Sequence, residues 1–118
     1  MKTSTVTITA ASVTEYFDVA DYTDAVIRLS GIWNGNVEFY ATNNPVSGGT
    51  LTPIAVQDIE STNWTTAVTS EAGSSPSTEF KIFRVPVAGL TRIAVTTASG
   101  FSGVLAVMFS TVSNTNSR

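Results

Sequence analysis

Apolar residues recur at a spacing of two along most of this chain, and no stretch of useful length repeats them at the three-and-four spacing of an amphipathic helix. Thr3 to Ala10 sets Val6, Ile8 and Ala10 against Thr5, Thr7 and Thr9, and Glu15 to Val19 turns Phe17 and Val19 to one side. Phe80 to Val87 aligns Phe83, Val85 and Val87, and Thr91 to Thr96 aligns Ile93 and Val95. Strand signals recur at 51–60 and near Trp64 and Val68. Clusters of Gly, Pro, Asn and Ser divide these runs, with long loops expected at 42–50 and 70–79. Seven or eight short strands of this kind predict an all-β domain, an antiparallel β-sandwich or jelly roll.

Residues 26–41, VIRLSGIWNGNVEFYA, carry the sharpest local signal. Asn34-Gly35 is the dipeptide best suited to a two-residue hairpin turn, so the flanking strands are expected to pair with each other. That pairing sets Trp33 opposite Asn36, Ile32 opposite Val37 and Ser30 opposite Phe39. Unbroken alternation then leaves Ile27 and Leu29 on the face away from Val37 and Phe39. A one-residue bulge at Gly31 restores the phase, and it turns Trp33, Glu38 and Tyr40 outward together. Trp33 and Tyr40 would then form an aromatic platform, suited to anchoring a protein interface or stacking on a sugar. The opposing possibility is that this face is the second buried surface of the sandwich.

The 118 residues suit one domain, expected here over 1–118 with an N-terminal arm at 1–10 and a polar tail at 111–118. The first strand serves either as an edge of its own sheet or as an arm on a neighbouring subunit, with Val6 and Ile8 as contacts. Val104 to Phe109 is apolar at every position and is expected to be buried on both faces, central in a sheet or covered at an interface.

Chemistry is narrowly bounded. The chain has no cysteine and no histidine, which removes thiolate ligands and nucleophiles, the commonest general base and the commonest metal ligand. No paired carboxylates, nucleophile elbow or phosphate loop stands in the sequence, so neither a catalytic residue nor a cofactor is expected. Asp18, Asp21 and Asp24 fall three apart, but without the order of a calcium loop; turn formation accounts for them and no metal is expected. Six scattered basic residues in a chain of net charge −3 argue against nucleic acid, and no run approaches the ~20 apolar residues of a membrane-spanning helix.

The run Gly31-Ile32-Trp33-Asn34-Gly35-Asn36-Val37-Glu38-Phe39, followed by Ala41-Thr42-Asn43-Asn44, resembles the G-x-W-x-G-x-V-x-F pattern of small β-sandwich virion proteins of tailed bacteriophages. The segments VPVAGLTRIAV at 85–95 and ASGFSGVLAV at 98–107 are similar to the closing strands of that group. The resemblance implies a non-enzymatic virion protein, a capsid decoration (cement) protein at the particle surface, whether on capsid or tail. Its partners would be copies of itself, a trimer among the options, and the major capsid protein or another virion protein. The alternative is a carbohydrate-binding module of a tail, reading a glycan through Trp33, Tyr40 or Trp64.

Overall fold

The computed structural model describes residues 2–43, 50–69 and 80–112. These form eleven strands: β1 (Thr3–Ile8), β2 (Thr14–Asp18), β3 (Asp24–Asn34), β4 (Asn36–Thr42), β5 (Thr52–Pro53), β6 (Val56–Asp58), β7 (Trp64–Thr65), β8 (Ala67–Thr69), β9 (Phe80–Pro86), β10 (Arg92–Thr97) and β11 (Ser102–Val112). Sheet A runs β1-β11-β3-β9-β6-β7 and sheet B runs β2-β10-β4-β5, with β8 also paired to β4. All the pairings are antiparallel. The fold is an all-β sandwich. The first strand pairs with the last, β2 with β10, β3 with β9 and β4 with β8, which is the ribbon winding of a jelly roll. That settles which of the two expected topologies is present.

The expected hairpin is absent. β3 ends at Asn34 and β4 begins at Asn36, yet β3 lies between β11 and β9 in sheet A while β4 lies against β10 in sheet B. The Asn34-Gly35-Asn36 turn is therefore a corner between sheets. β10 and β11 turn the same corner through 98–101, held by hydrogen bonds from Ala98 N to Asn36 O (3.0 Å) and from Phe101 N to Ala98 O (3.0 Å). Residues 24–42 and 92–112 thus run alongside each other in one folded ribbon. A two-residue turn signal describes only local backbone geometry; partner choice went to the longer strands that bury more apolar surface.

The expected bulge is absent too. Pairing between β3 and β11 is unbroken from Asp24↔Val112 to Asn34↔Ser102. Alternation runs straight through Gly31, so Ala25, Ile27, Leu29 and Trp33 all face the core and Ile32 faces out. Val37, Phe39 and Ala41 face the same core from sheet B, which resolves the phase conflict, because strands in opposite sheets need not match phases across a turn. Gly31 has φ +115° and Gly103, one step along on β11, has φ +112°. A Cβ at Gly31 would stand 2.3 Å from the Val104 carbonyl oxygen, and one at Gly103 would stand 2.5 Å from that of Ile32. The glycine reserved for a bulge instead permits a close backbone approach.

Between the sheets, Phe17 of β2 stacks on Phe109 of β11 (centroids 5.0 Å apart, planes 10° apart) and Phe39 of β4 meets Phe83 of β9 at 5.3 Å. Two buried threonines bind chain ends to this core. Thr97 Oγ1 accepts from Val13 N (3.0 Å) and donates to Ala10 O (2.8 Å), while Thr111 Oγ1 accepts from Lys2 N (2.9 Å). Thr111 belongs to β11 and is fully buried, so a polar tail beginning at 111 is overturned; 113–118 lie outside the described residues. The expected loop at 70–79 also lies outside them, as does most of 42–50. The strand expected at 51–60 is reduced to β5 and β6, with Ile59 exposed beyond them.

Candidate interaction surfaces

Strand register fixes what each sheet shows to solvent. Across the outer face of sheet A, Thr5, Met108, Arg28 and Ile82 form one row, and Thr3, Ser110, Val26, Arg84, Gln57 and Trp64 form another. Ile32 of β3 pairs directly with Val104 of β11, leaving them 51% and 50% exposed. Arg28 Nη1 donates to Met108 Sδ at 3.9 Å, beside a depression of ≈ 120 Å³ lined by Thr5, Arg28, Ser30, Ala106 and Met108. Arg84 is held at 3.2 Å by Asp24. The composition, with exposed aliphatics and Trp, Met and Arg, resembles the core of a protein interface more than an average surface.

The outer face of sheet B is different in character. Tyr16 of β2, Ala94 of β10, Tyr40 of β4 and Pro53 of β5 share one row. Two strand spacings put the tyrosine backbones about 10 Å apart. Arg92, outward from β10, lies with its guanidinium 4.3 Å from the Tyr16 ring centroid and is itself buried. Tyr40 Oη donates to Glu38 Oε1 at 2.8 Å. That bond, with some burial and the Glu38 charge, raises the Tyr40 phenol above the ordinary tyrosine value. Thr14 and Thr96 join hydroxyls at 2.9 Å in the next row.

The residues singled out in the sequence separate onto these surfaces. Trp33 is 8% exposed in the core, and its Nε1 has no hydrogen-bond partner among the described residues. It therefore shares no platform with Tyr40, which is on the outside of the other sheet; the β3–β4 pairing that would set them on one face does not form. Ile8 is buried against Leu105, Val6 is half-buried opposite Val107, and β1 is the edge of sheet A. Trp64 is 51% exposed. Asn34, Gly35 and Gly31 hold the corner and the close approach described above. Asp24 of the acidic trio pairs with Arg84, and no metal-holding cluster of His, Cys, Asp or Glu occurs among the described residues.

Tyr16, Arg92, Ile32 and Met108 also stand on these surfaces, and their own positions in the sequence carry no contact signal. The all-apolar run at 104–109 did contain a signal for the sheet A face. β11 is central in its sheet, but Leu105, Val107 and Phe109 are buried while Val104 is half exposed and Ala106 and Met108 are only partly covered. The expectation of burial on both faces fails within a single copy of the chain.

No family model matches this sequence, and no curated protein matches it. Among solved structures, the chain is similar to the SPBc2 prophage-derived protein YomS, with a TM-score of 0.68 and 18% identity over 96% of each chain. A subunit described in work on Bacillus endospore appendages, which form disulfide-linked pili, aligns with a TM-score of 0.40 and 12% identity over 95% of this chain and 87% of that one. The likeness to YomS is one of fold.

Proposed function

We propose that this chain is a non-enzymatic structural protein of a phage-type particle, a decoration protein that binds the particle surface and associates with copies of itself. The observation that carries the reading is the outer face of sheet A, where Ile32 and Val104 stand directly paired and half exposed with Ala106 and Met108 alongside. The outer face of an antiparallel sheet is ordinarily polar, and aliphatic side chains standing together on it mark a surface suited to binding. The fold shared with a prophage-derived protein supports the phage setting, and the absence of histidine and cysteine supports a role without catalysis.

Co-sedimentation with empty capsids lacking their decoration layer tests this. The wild-type chain is expected to migrate with the particles, and Ile32→Lys/Val104→Lys is expected to remain folded and lose that binding, since both side chains are already half solvated. A wild-type chain left in the supernatant would refute the particle reading. The second reading, glycan binding, is favoured by the Tyr16–Ala94–Tyr40 row, where aromatic rings stand beside hydrogen-bonding Glu38 and Arg92. A glycan array tests it: retention that depends on Tyr40 supports it, and an empty array rejects it.

A further inference from the structure

We infer that two copies of this chain join edge to edge through β1, antiparallel about a two-fold axis at Thr5, so that their A sheets become one. The inference rests on the reading of the chain as a self-associating surface protein and names the contact.

Among the described residues, the five outer strands of the two sheets differ in how open they are to addition. β7 has two residues, β8 has three, β5 has two and ends in Pro53, and β2 carries Glu15 and Asp18. Short length, proline and charge are the usual means of blocking strand addition. β1 has none of them. It is six residues long, TSTVTI, uncharged, without proline, and paired to β11 in regular register from Thr3↔Ser110 to Ile8↔Leu105. The nearest charge, Lys2, is turned inward across the mouth of the sandwich, with Nζ 5.5 Å from the Phe17 ring centroid and 3.3 Å from the Asp18 carbonyl oxygen. No strand among the described residues pairs with the far side of β1.

The direction of the backbone groups selects the residues available. Thr111 N donates to Lys2 O at 2.9 Å, so Lys2 faces β11, and alternation along an antiparallel strand turns Ser4, Val6 and Ile8 the same way. The N–H and C=O groups of Thr3, Thr5 and Thr7 therefore face the open edge. All three are threonines with exposed side chains on one face. A two-fold axis at Thr5 sets Thr5 against Thr5 and Thr3 against Thr7 of the second copy, each pair exchanging both of its backbone hydrogen bonds. The outer face then shows only cross-strand threonine pairs, a favourable combination. On the inner face, half-buried Val6 meets the exposed Ser4 of the second copy, which adds cover to Val6 at the join. This self-matching is what commits the edge to a second copy rather than to a strand of another protein.

Sedimentation equilibrium of the full chain tests the contact. The wild type is expected to be a dimer. Thr5→Pro removes an N–H that points away from β11, so the protein's own ladder is kept while both hydrogen bonds at the axis are lost. Self-association should weaken roughly ten- to a hundredfold with little change in the urea midpoint. Should Thr5→Pro fail to fold, charge pairs decide the matter: Thr3→Lys/Thr7→Lys should dissociate the dimer, whereas Thr3→Glu/Thr7→Lys should keep it, because only the proposed register sets positions 3 and 7 opposite each other. A wild-type monomer, a dimer indifferent to these changes, or equal weakening by both charge pairs would overturn the inference. Lack of capsid binding by an intact dimer would overturn only the particle reading, and a monomer that still binds capsids would overturn the pairing and the self-association but not the particle reading.

Discussion

Replacing Gly103 or Gly31 by alanine should destabilise this protein far more than one added methyl group ordinarily does. At Gly103 the new Cβ would lie 2.5 Å from the Ile32 carbonyl oxygen and 2.7 Å from the Trp33 Cα, and at Gly31 it would lie 2.3 Å from the Val104 carbonyl oxygen. The obstructing atoms are backbone atoms of two central strands, so no side-chain rotation relieves the overlap. The φ angles of +112° and +115° add a conformational cost of about 1–3 kcal/mol for a residue bearing a Cβ. Parting β3 from β11 locally adds overpacking of about 1–3 kcal/mol. We expect each single variant to lose about 2–6 kcal/mol in urea unfolding, a sizeable part of a typical domain's whole stability. The two sites press on the same pair of strands, so once one substitution has opened them the other meets less resistance. The double variant should therefore fall short of the sum of the singles. Gly100→Ala is the control, since no atom lies within 4 Å of the Cβ position and its φ is ordinary; it should change stability by less than about 1 kcal/mol. Urea midpoints at equal m-value compare the four variants with the wild type. If Gly31→Ala and Gly103→Ala were as mild as Gly100→Ala, the close approach of β3 and β11 would not be as described.

Two further outcomes follow from buried or shared polar groups. Thr97→Val keeps the shape but leaves Val13 N–H and Ala10 C=O without their shared hydroxyl partner; urea unfolding should show a loss of about 1–3 kcal/mol, and an unchanged midpoint would count against that role. Because folding raises the Tyr40 pKa, its contribution to stability is full below the ordinary tyrosine value and is lost as pH rises through the raised one. An ultraviolet phenolate titration, with Tyr40→Phe identifying its transition, should show Tyr40 titrating late, and Glu38→Gln should bring that transition earlier, an unmoved transition being the contrary result.

Much of the fold was legible because alternation at a spacing of two is a direct record of which residues face inward. Phe17, Val19, Phe83, Val85, Val87, Ile93 and Val95 all point to the core as their spacing required. Interaction surfaces were harder to read. Val6, Ile8 and Trp64 lie on strands at the margins of sheet A, whereas Trp33 lies in the core because β3 alternates without a bulge and pairs with β11 rather than β4. Tyr16 and Arg92 are seventy-six positions apart, and only the pairing of β2 with β10 sets one on the other.

The sequence by itself determined the secondary structure class, the inward-facing residues and the absence of histidine and thiol chemistry, because these are properties of composition and of spacing along one strand. The tertiary structure decided which strands are neighbours. Asn34-Gly35 reverses the chain equally well within a sheet or between two sheets, and nothing local distinguishes them. The choice came from β3 and β11, two eleven-residue strands that bury one face together. That choice turned Trp33 inward, left Ile32 and Val104 paired on the outside, and put β1 at the edge of sheet A with its threonines open.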